Sequence, residues 1–294
     1  MLRPFVRGLL LMASMASSAA GMSVVQDQIR SQLSAKGIAE PIEFRGMSEV
    51  RAADGRVGFY KVGTGGSAAE LSLLQYEAEG LARMAEAAGD QLSIPKPWLM
   101  GEVEMRGGRK SGFIVMDKCD MGGRRNADSQ RALGLGLAAM HSAPLPSDWP
   151  AGVFGFPVDG CCGAMSQPNN PEKRPLSWVE FWAEHRLGHQ LRACPSCGPM
   201  QDLGGQVLAR LPQLFDGLED IQPSLIHGDL WGGNHAVDSA GKPVLFDPAA
   251  YYGHSEAEFG IINMFGGVSK DFYDAYFSVI PKQPGFESRA LLYE

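Results

Sequence analysis

Apolar positions along this chain keep two different rhythms, and the change between them divides it. Val24 to Leu33 has apolar residues at helical spacing, whereas Ile42–Phe44, Arg56–Val62 and Gly112–Met116 read as short strands separated by Gly, Asp and Ser turns. Between those strands, Ala68 to Ala88 repeats every three to four residues at Leu71, Leu74, Leu81 and Met84, and Gly89-Asp90 supplies a stop. One long helix therefore interrupts a small sheet. Ile94-Pro95-Lys96-Pro97 ends helical structure and leads to strands at Trp98–Met100 and, past a turn at Gly107-Gly108, at Phe113–Asp117. After a linker at Met121–Gly123 the chain from Ser129 turns mainly helical, at Ala132–His141, Ser177–Leu191 and Gly204–Phe215, broken by the loop Gln167–Pro175. Short strands return at Leu225-Ile226, His235–Val237 and Val244–Phe246, and helices resume at Glu256–Phe265 and Lys270–Val279. The pattern predicts an α+β fold with a small β-rich lobe over 23–120 and a larger, mainly helical lobe over 121–294, without internal repeats.

Composition narrows the partners. At 294 residues and 45% hydrophobic content the chain can bury a substantial core. A formal charge of -7 and the lack of a dense Lys/Arg run argue against a nucleic-acid partner, because such binding replaces phosphate counterions with basic groups. The first 26 residues hold Arg3 and Arg7, no acid, and an apolar run from Leu9 to Met12 that is too short to span a bilayer. Residues 1–22 are thus expected to be a leader for chloroplast or mitochondrial import, with Met22 as an alternative start that would give a cytoplasmic protein. No stable membrane insertion is expected, and the oligomeric state is left open. Five cysteines do not suggest a disulfide framework, and the lone Cys194-x-x-Cys197 falls short of the four ligands of a structural zinc site, so free thiols in a reducing compartment are expected.

The densest chemistry lies in His227-Gly228-Asp229-Leu230-Trp231-Gly232-Gly233-Asn234, followed by a turn over Asp238–Gly241, the strand Val244–Phe246 and then Asp247. Phosphoryl transfer needs a carboxylate to orient the attacking hydroxyl and oxygen ligands to hold Mg²⁺ on the nucleotide phosphates. Asp229 fits the first role, Asn234 and Asp247 the second. An Asp, an Asn five residues on, and a second Asp beyond a hairpin is the protein-kinase arrangement. Upstream, Lys61 sits in the apolar strand Phe59–Val62, where a cation needs a partner, and Glu77 or its rival Glu79 on the next helix can supply it. Such a lysine–glutamate pair holds the α- and β-phosphates in kinases.

From Phe44 to its end the chain resembles the fructosamine/ketosamine-3-kinase family, relatives of the aminoglycoside phosphotransferases and protein kinases. The resemblance rests on Tyr76-Glu77-Ala78-Glu79-Gly80-Leu81, Phe154-Gly155-Phe156, Cys161-Cys162-Gly163, Trp178–Trp182 with His185-Arg186-Leu187, and above all His227–Asn234. Asp247-Pro248-Ala249, Tyr252–Glu256, Met264–Gly267 and Pro281–Tyr293 extend it. It implies a bilobal, protein-kinase-like fold, with a nucleotide-binding first lobe and a second lobe for catalysis and acceptor binding. It implies ATP and Mg²⁺, Lys61 and Glu77 on the phosphates, Asp229 accepting the proton of a sugar 3-hydroxyl, and Asn234 and Asp247 on the metal. Met116-Asp117-Lys118 would be the hinge read by adenine, and Trp231, His254 and Glu256 would line the acceptor site. The substrate implied is a ribulosamine or fructosamine on a protein lysine or free amine, phosphorylated toward deglycation and repair. Another hydroxylated amine, such as an aminoglycoside or choline, or a non-catalytic pseudokinase, are the alternatives. Three departures from the family pattern stand out: the short phosphate loop Arg45–Glu49, the hinge exit Gly122-Gly123-Arg124-Arg125, and an ending at Leu291–Glu294 where relatives continue into a further helix, as a truncated reading frame would produce.

Overall fold

Residues 19–46, 48–63, 68–104, 108, 110–218 and 220–294 are described by the computed structural model. Most of the expected leader, Met47 of the expected phosphate loop and Gly107 of the expected turn lie outside the described residues. The chain divides into two units: residues up to Ala82 with Pro95–Cys119, and Arg83–Ile94 with Asp120–Glu294.

In the first unit, strands β1 (Glu43–Arg45), β2 (Glu49–Arg51), β3 (Val57–Val62), β4 (Pro97–Glu104) and β5 (Lys110–Asp117) form an antiparallel sheet in the order β1-β2-β3-β5-β4. Helix α1 (Ala19–Ala35) covers it with Val25, Ile29 and Leu33, four residues apart and fully buried in one cluster with Val50, Tyr60, Leu99, Phe113 and Val115. Strand β2 was not anticipated from sequence, since three residues are too few to show an alternation. Helix α2 spans Ala68–Ala88, as its periodicity predicts.

The second unit takes the end of α2 and the segment up to Ile94, which the sequence boundary at 120 had placed in the first lobe. Backbone pairing explains the difference. Ser93 donates its N–H to Pro243 O at 2.8 Å and accepts from Leu245 N–H at 3.0 Å, while Arg83 reaches Asp148 at 2.6 Å and Tyr252 Oη at 3.1 Å. Helix α3 (Ala127–Ser142) starts at a capping box made by Asn126 and Ser129. A hairpin of β6 (Gly160–Cys162) and β7 (Met165–Gln167) follows, then α4 (Trp178–Trp182), a π-helical turn over Ala183–Leu187, α5 (Gly188–Ala193) and α6 (Gly198–Arg210). The remainder alternates short strands with helices: β8 (Ser224–Ile226), β9 (His235–Val237), β10 (Pro243–Leu245), β11 (Tyr251–Gly253), α7 (Glu258–Phe265), α8 (Lys270–Val279) and α9 (Phe286–Tyr293). Strand β9 pairs with β10 and β8 with β11, both antiparallel.

The expectation of free thiols fails at one pair: Cys194 and Cys197 form a disulfide across the turn from α5 to α6, with their Cα atoms 5.5 Å apart, a separation that disulfides favour. Cys119, Cys161 and Cys162 are thiols.

Candidate functional site

Residues 227–234 link β8 to β9, and side chains at both ends of this loop tie it into one shape. Asn234 Nδ2 donates to Asp229 Oδ2 at 2.9 Å, to Asp229 O at 2.8 Å and to Asp247 O at 3.4 Å, so one amide spans the two aspartates. With Nδ2 committed in this way, the opposite edge of the amide presents Oδ1, a hard oxygen donor. His227 works from beneath: its Nδ1 accepts from Asp229 N–H at 3.2 Å and its Nε2–H donates to Phe246 O at 3.0 Å, next to Asp247. That bonding fixes a neutral tautomer, and full burial depresses the basicity of this imidazole. Gly228 adopts φ +75°, and a Cβ there would fall 2.2 Å from Ala249 O, so only glycine fits. Asp247 has φ 54°, a left-handed conformation uncommon outside glycine that is tolerated where the surroundings hold it.

Burial pushes the Asp229 carboxyl up to about 6; the Glu258 and Asp247 charges add to the rise, and hydrogen bonding from Asn234 and Cys162 opposes it. A base in that range is still mostly ionised at neutral pH and can take up a proton.

In the first unit, Lys61 lies in β3 opposite Ile114 and reaches Glu77 of α2, with Nζ 2.6 Å from Oε1 and both side chains largely shielded from solvent. Of the two glutamates considered from sequence, Glu77 makes this contact. Met116 is buried in β5 between Phe59 and Pro97. Lys118 departs from the hinge expectation: its N–H donates to Val57 O at 3.0 Å and its ammonium pairs with Glu49, so its backbone donor is used within the sheet.

A family model described as fructosamine kinase matches residues 39–294. The chain belongs to the fructosamine kinase family. Among family relatives, protein-ribulosamine 3-kinase, chloroplastic, from Oryza sativa is 38% identical over 225 residues, covering 76% of this chain and 61% of that protein. The ketosamine-3-kinase of Mus musculus is 49% identical over 144 residues, covering 48% of this chain and 45% of that protein. The chain therefore spans less than two thirds of the length of these relatives. A crystal structure of a candidate fructosamine-3-kinase from Thermobifida fusca aligns with TM-score 0.70 at 27% identity, over 91% of this chain and 89% of that one. The fold of this family member is the protein-kinase-like α+β fold expected from sequence.

Two residues expected at the acceptor site of this fructosamine kinase family member are engaged by side chains of α9. Glu256 is clamped by Arg289 of α9, at 2.7 Å from Nε and 2.9 Å from Nη2, with both side chains nearly inaccessible. His254 Nδ1 meets Tyr293 Oη at 2.9 Å, and burial holds its imidazole down to about 3. Both line a cavity of about 640 Å³ with Phe259, Phe277 and Gln283, whose described walls do not include Asp229, Asn234 or Asp247. Trp231, by contrast, is 37% exposed on the loop itself.

Sequence reasoning missed two braces of the loop. Glu258, fully buried at the start of α7, accepts the N–H groups of His227 at 2.6 Å and Gly228 at 2.9 Å. Burial opposes its charge, yet His141 and the His227 environment keep its carboxyl below the usual range. Arg125 donates from Nη2 to Gly232 O at 2.6 Å and His235 O at 2.5 Å. The basic run at 124–125 was the only signal of it.

Proposed function

We propose that this chain phosphorylates the 3-hydroxyl of a ketosamine at the expense of ATP, with ribulosamine the preferred sugar, carried on a protein lysine or a small amine. The observation that carries this reading is the Asn234 amide holding Asp229 and the Asp247 backbone together at the two ends of the β9–β10 hairpin. The names of the rice and mouse relatives support the acceptor class.

In this reading Asp229 orients the acceptor hydroxyl and takes its proton as the new P–O bond forms, and ADP carries away the electrons of the broken bond. Lys61, steadied by Glu77, holds the nucleotide phosphates, and the Met116 segment lies along the base. Trp231 offers a face to the sugar. Asn234 Oδ1 and the Asp247 carboxylate are oxygen donors of the kind Mg²⁺ takes, and two such ligands suit an ion that shares its shell with phosphates. When bound, Mg²⁺ would neutralise charge on the phosphates.

The test is ATP consumption with ribulosyl-lysine and fructosyl-lysine, comparing the parent protein with Asp229→Asn. Turnover that disappears in the variant supports the reading and ranks the sugars. A parent protein inert toward both sugars but active on an aminoglycoside or choline would overturn the acceptor assignment.

A further inference from the structure

Where the end of α7 meets the 227–234 loop, three large apolar side chains stand in solvent: Trp231 of the loop is 37% exposed, and Met264 and Phe265 of α7 are 47% and 45% exposed. Single exposed apolar residues are ordinary, but a group of them beside one loop marks a surface that binds something. Two features show that this one is built. First, the α7 exit is stitched to the loop: Gly232 N–H donates to Gly266 O at 2.9 Å, and His235 Nε2–H donates to Gly267 O at 3.0 Å. Gly267, at φ +114°, sits so close that a Cβ there would fall 2.2 Å from Gly232 Cα. Second, the Trp231 indole lies close on Gly233, where a Cβ would fall 2.3 Å from its Cζ2, and its ring centroid is 6.2 Å from that of Phe265, at 58°. The two rings are held in a fixed relation to each other and to the loop that carries Asp229.

We propose that Trp231, Phe265 and Met264 form the subsite for the amine arm of the acceptor, meaning the protonated secondary amine and the carbon chain beyond it. This rests on the ketosamine reading above and names what that site recognises besides the sugar. The chemistry of the acceptor places the arm there. In a ketosamine only C2 and C1 separate the C3 carbon from the nitrogen, so a hydroxyl held at Asp229 leaves the nitrogen near residues adjoining it in the same loop. Asn234 ties that loop shut on Asp229. The nitrogen is cationic at neutral pH and the lysine stem beyond it is apolar; an indole face attracts the cation, and a phenyl ring with a methionine thioether covers methylenes. A lysine adduct on a protein surface projects the same arm, so an open patch suits it better than an enclosed pocket.

The experiment compares Nε-ribulosyl-lysine, which has the arm, with 1-amino-1-deoxyribulose, which lacks the stem, in wild type, Phe265→Ala and Phe265→Tyr. Loss of about 1.4 kcal/mol of stem contact makes Phe265→Ala lower the preference for the lysine adduct, as a ratio of kcat/KM values, roughly tenfold, while Phe265→Tyr, which keeps the ring, retains it. Equal losses on both acceptors, or none, overturn the subsite while leaving the kinase reading intact. A wild type silent toward both acceptors overturns the kinase reading instead. Calorimetric binding of the two acceptors, which needs no turnover, then decides the subsite: a wild-type preference for the lysine adduct that Phe265→Ala abolishes sustains it, and equal affinities reject it.

Discussion

The carboxylate of Glu258 reaches 31 residues back along the chain to accept the backbone N–H of His227 at 2.6 Å, and its other oxygen takes the next N–H, that of Gly228. These two amides precede Asp229, so a buried acid sets the direction from which the loop departs. Glu258→Gln replaces one acceptor oxygen with a donor that opposes an N–H, and a buried unsatisfied donor costs about 1–3 kcal/mol. The variant should melt several degrees lower and lose at least roughly tenfold in kcat, with the KM for ATP changed much less. Steady-state kinetics with a thermal melt would check this, and an unchanged kcat would refute the positioning role.

Acid should destabilise the protein well before its carboxylates are fully protonated. Burial depresses His227, His235, to about 4, and His254, to about 3. Above about 6.5 these rings are neutral in both states; below it the unfolded chain takes up protons that the folded chain refuses, so stability is lost from there down toward the folded values. Asp229, raised to about 6, acts in the opposite sense, since the folded state binds its proton first on acidification. Three histidines outweigh one carboxyl, and the net loss by pH 5 should be a few kcal/mol. Melting temperatures at pH 7.5, 6.5 and 5.5 test the sign; a flat profile would contradict it.

Glu256 and Arg289 are expected to show themselves in stability and not in acceptor affinity. Removing one partner of a buried ion pair strands the other and costs about 3–5 kcal/mol, whereas replacing both with apolar or neutral groups of similar volume is far milder. Glu256→Gln should therefore lower the melting temperature sharply, and Glu256→Gln with Arg289→Met should recover much of it. A raised KM for the acceptor with an intact melt would instead return Glu256 to the substrate site.

Arg125 holds two carbonyls that flank Asn234, those of Gly232 and His235. Arg125→Ala should leave the fold intact and loosen the loop, lowering kcat by about tenfold, since small misplacements of positioned groups carry large kinetic penalties. Arg125→Lys, with a point charge in place of a planar fork, should fall between the two. Equal kcat in all three proteins would rule the brace out.

Local signals carried the geometry of the loop. Asp229, Asn234 and Asp247 flank a single short hairpin, so their spacing was readable as a string, and the Ala68–Ala88 helix was fixed by its own periodicity. The residues that went unread act at long range: Arg125 lies 107 residues from Gly232, and Arg289 33 residues from Glu256. His254 and Glu256 were placed at the acceptor site by resemblance alone, and only the three-dimensional placement of α9 shows their partners, Tyr293 and Arg289. Strands β6, β7 and β11, each of three residues, are too short for alternation to register and exist by pairing with neighbours.

Tyr293, in the last turn of α9, receives the indole N–H of Trp178 at 2.8 Å and meets His254 at 2.9 Å, while Arg289 one turn earlier neutralises Glu256. A helix of eight residues is ordinarily marginal by itself and opens at little cost to the rest of a fold. Displacing Phe286–Tyr293 would strip the partners from three buried groups at once, Trp178, His254 and Glu256, so opening of this helix and unfolding of the second unit become the same event. Amide exchange within α9 should then follow the melting curve of the whole second unit, in place of the early local opening typical of a short peripheral helix.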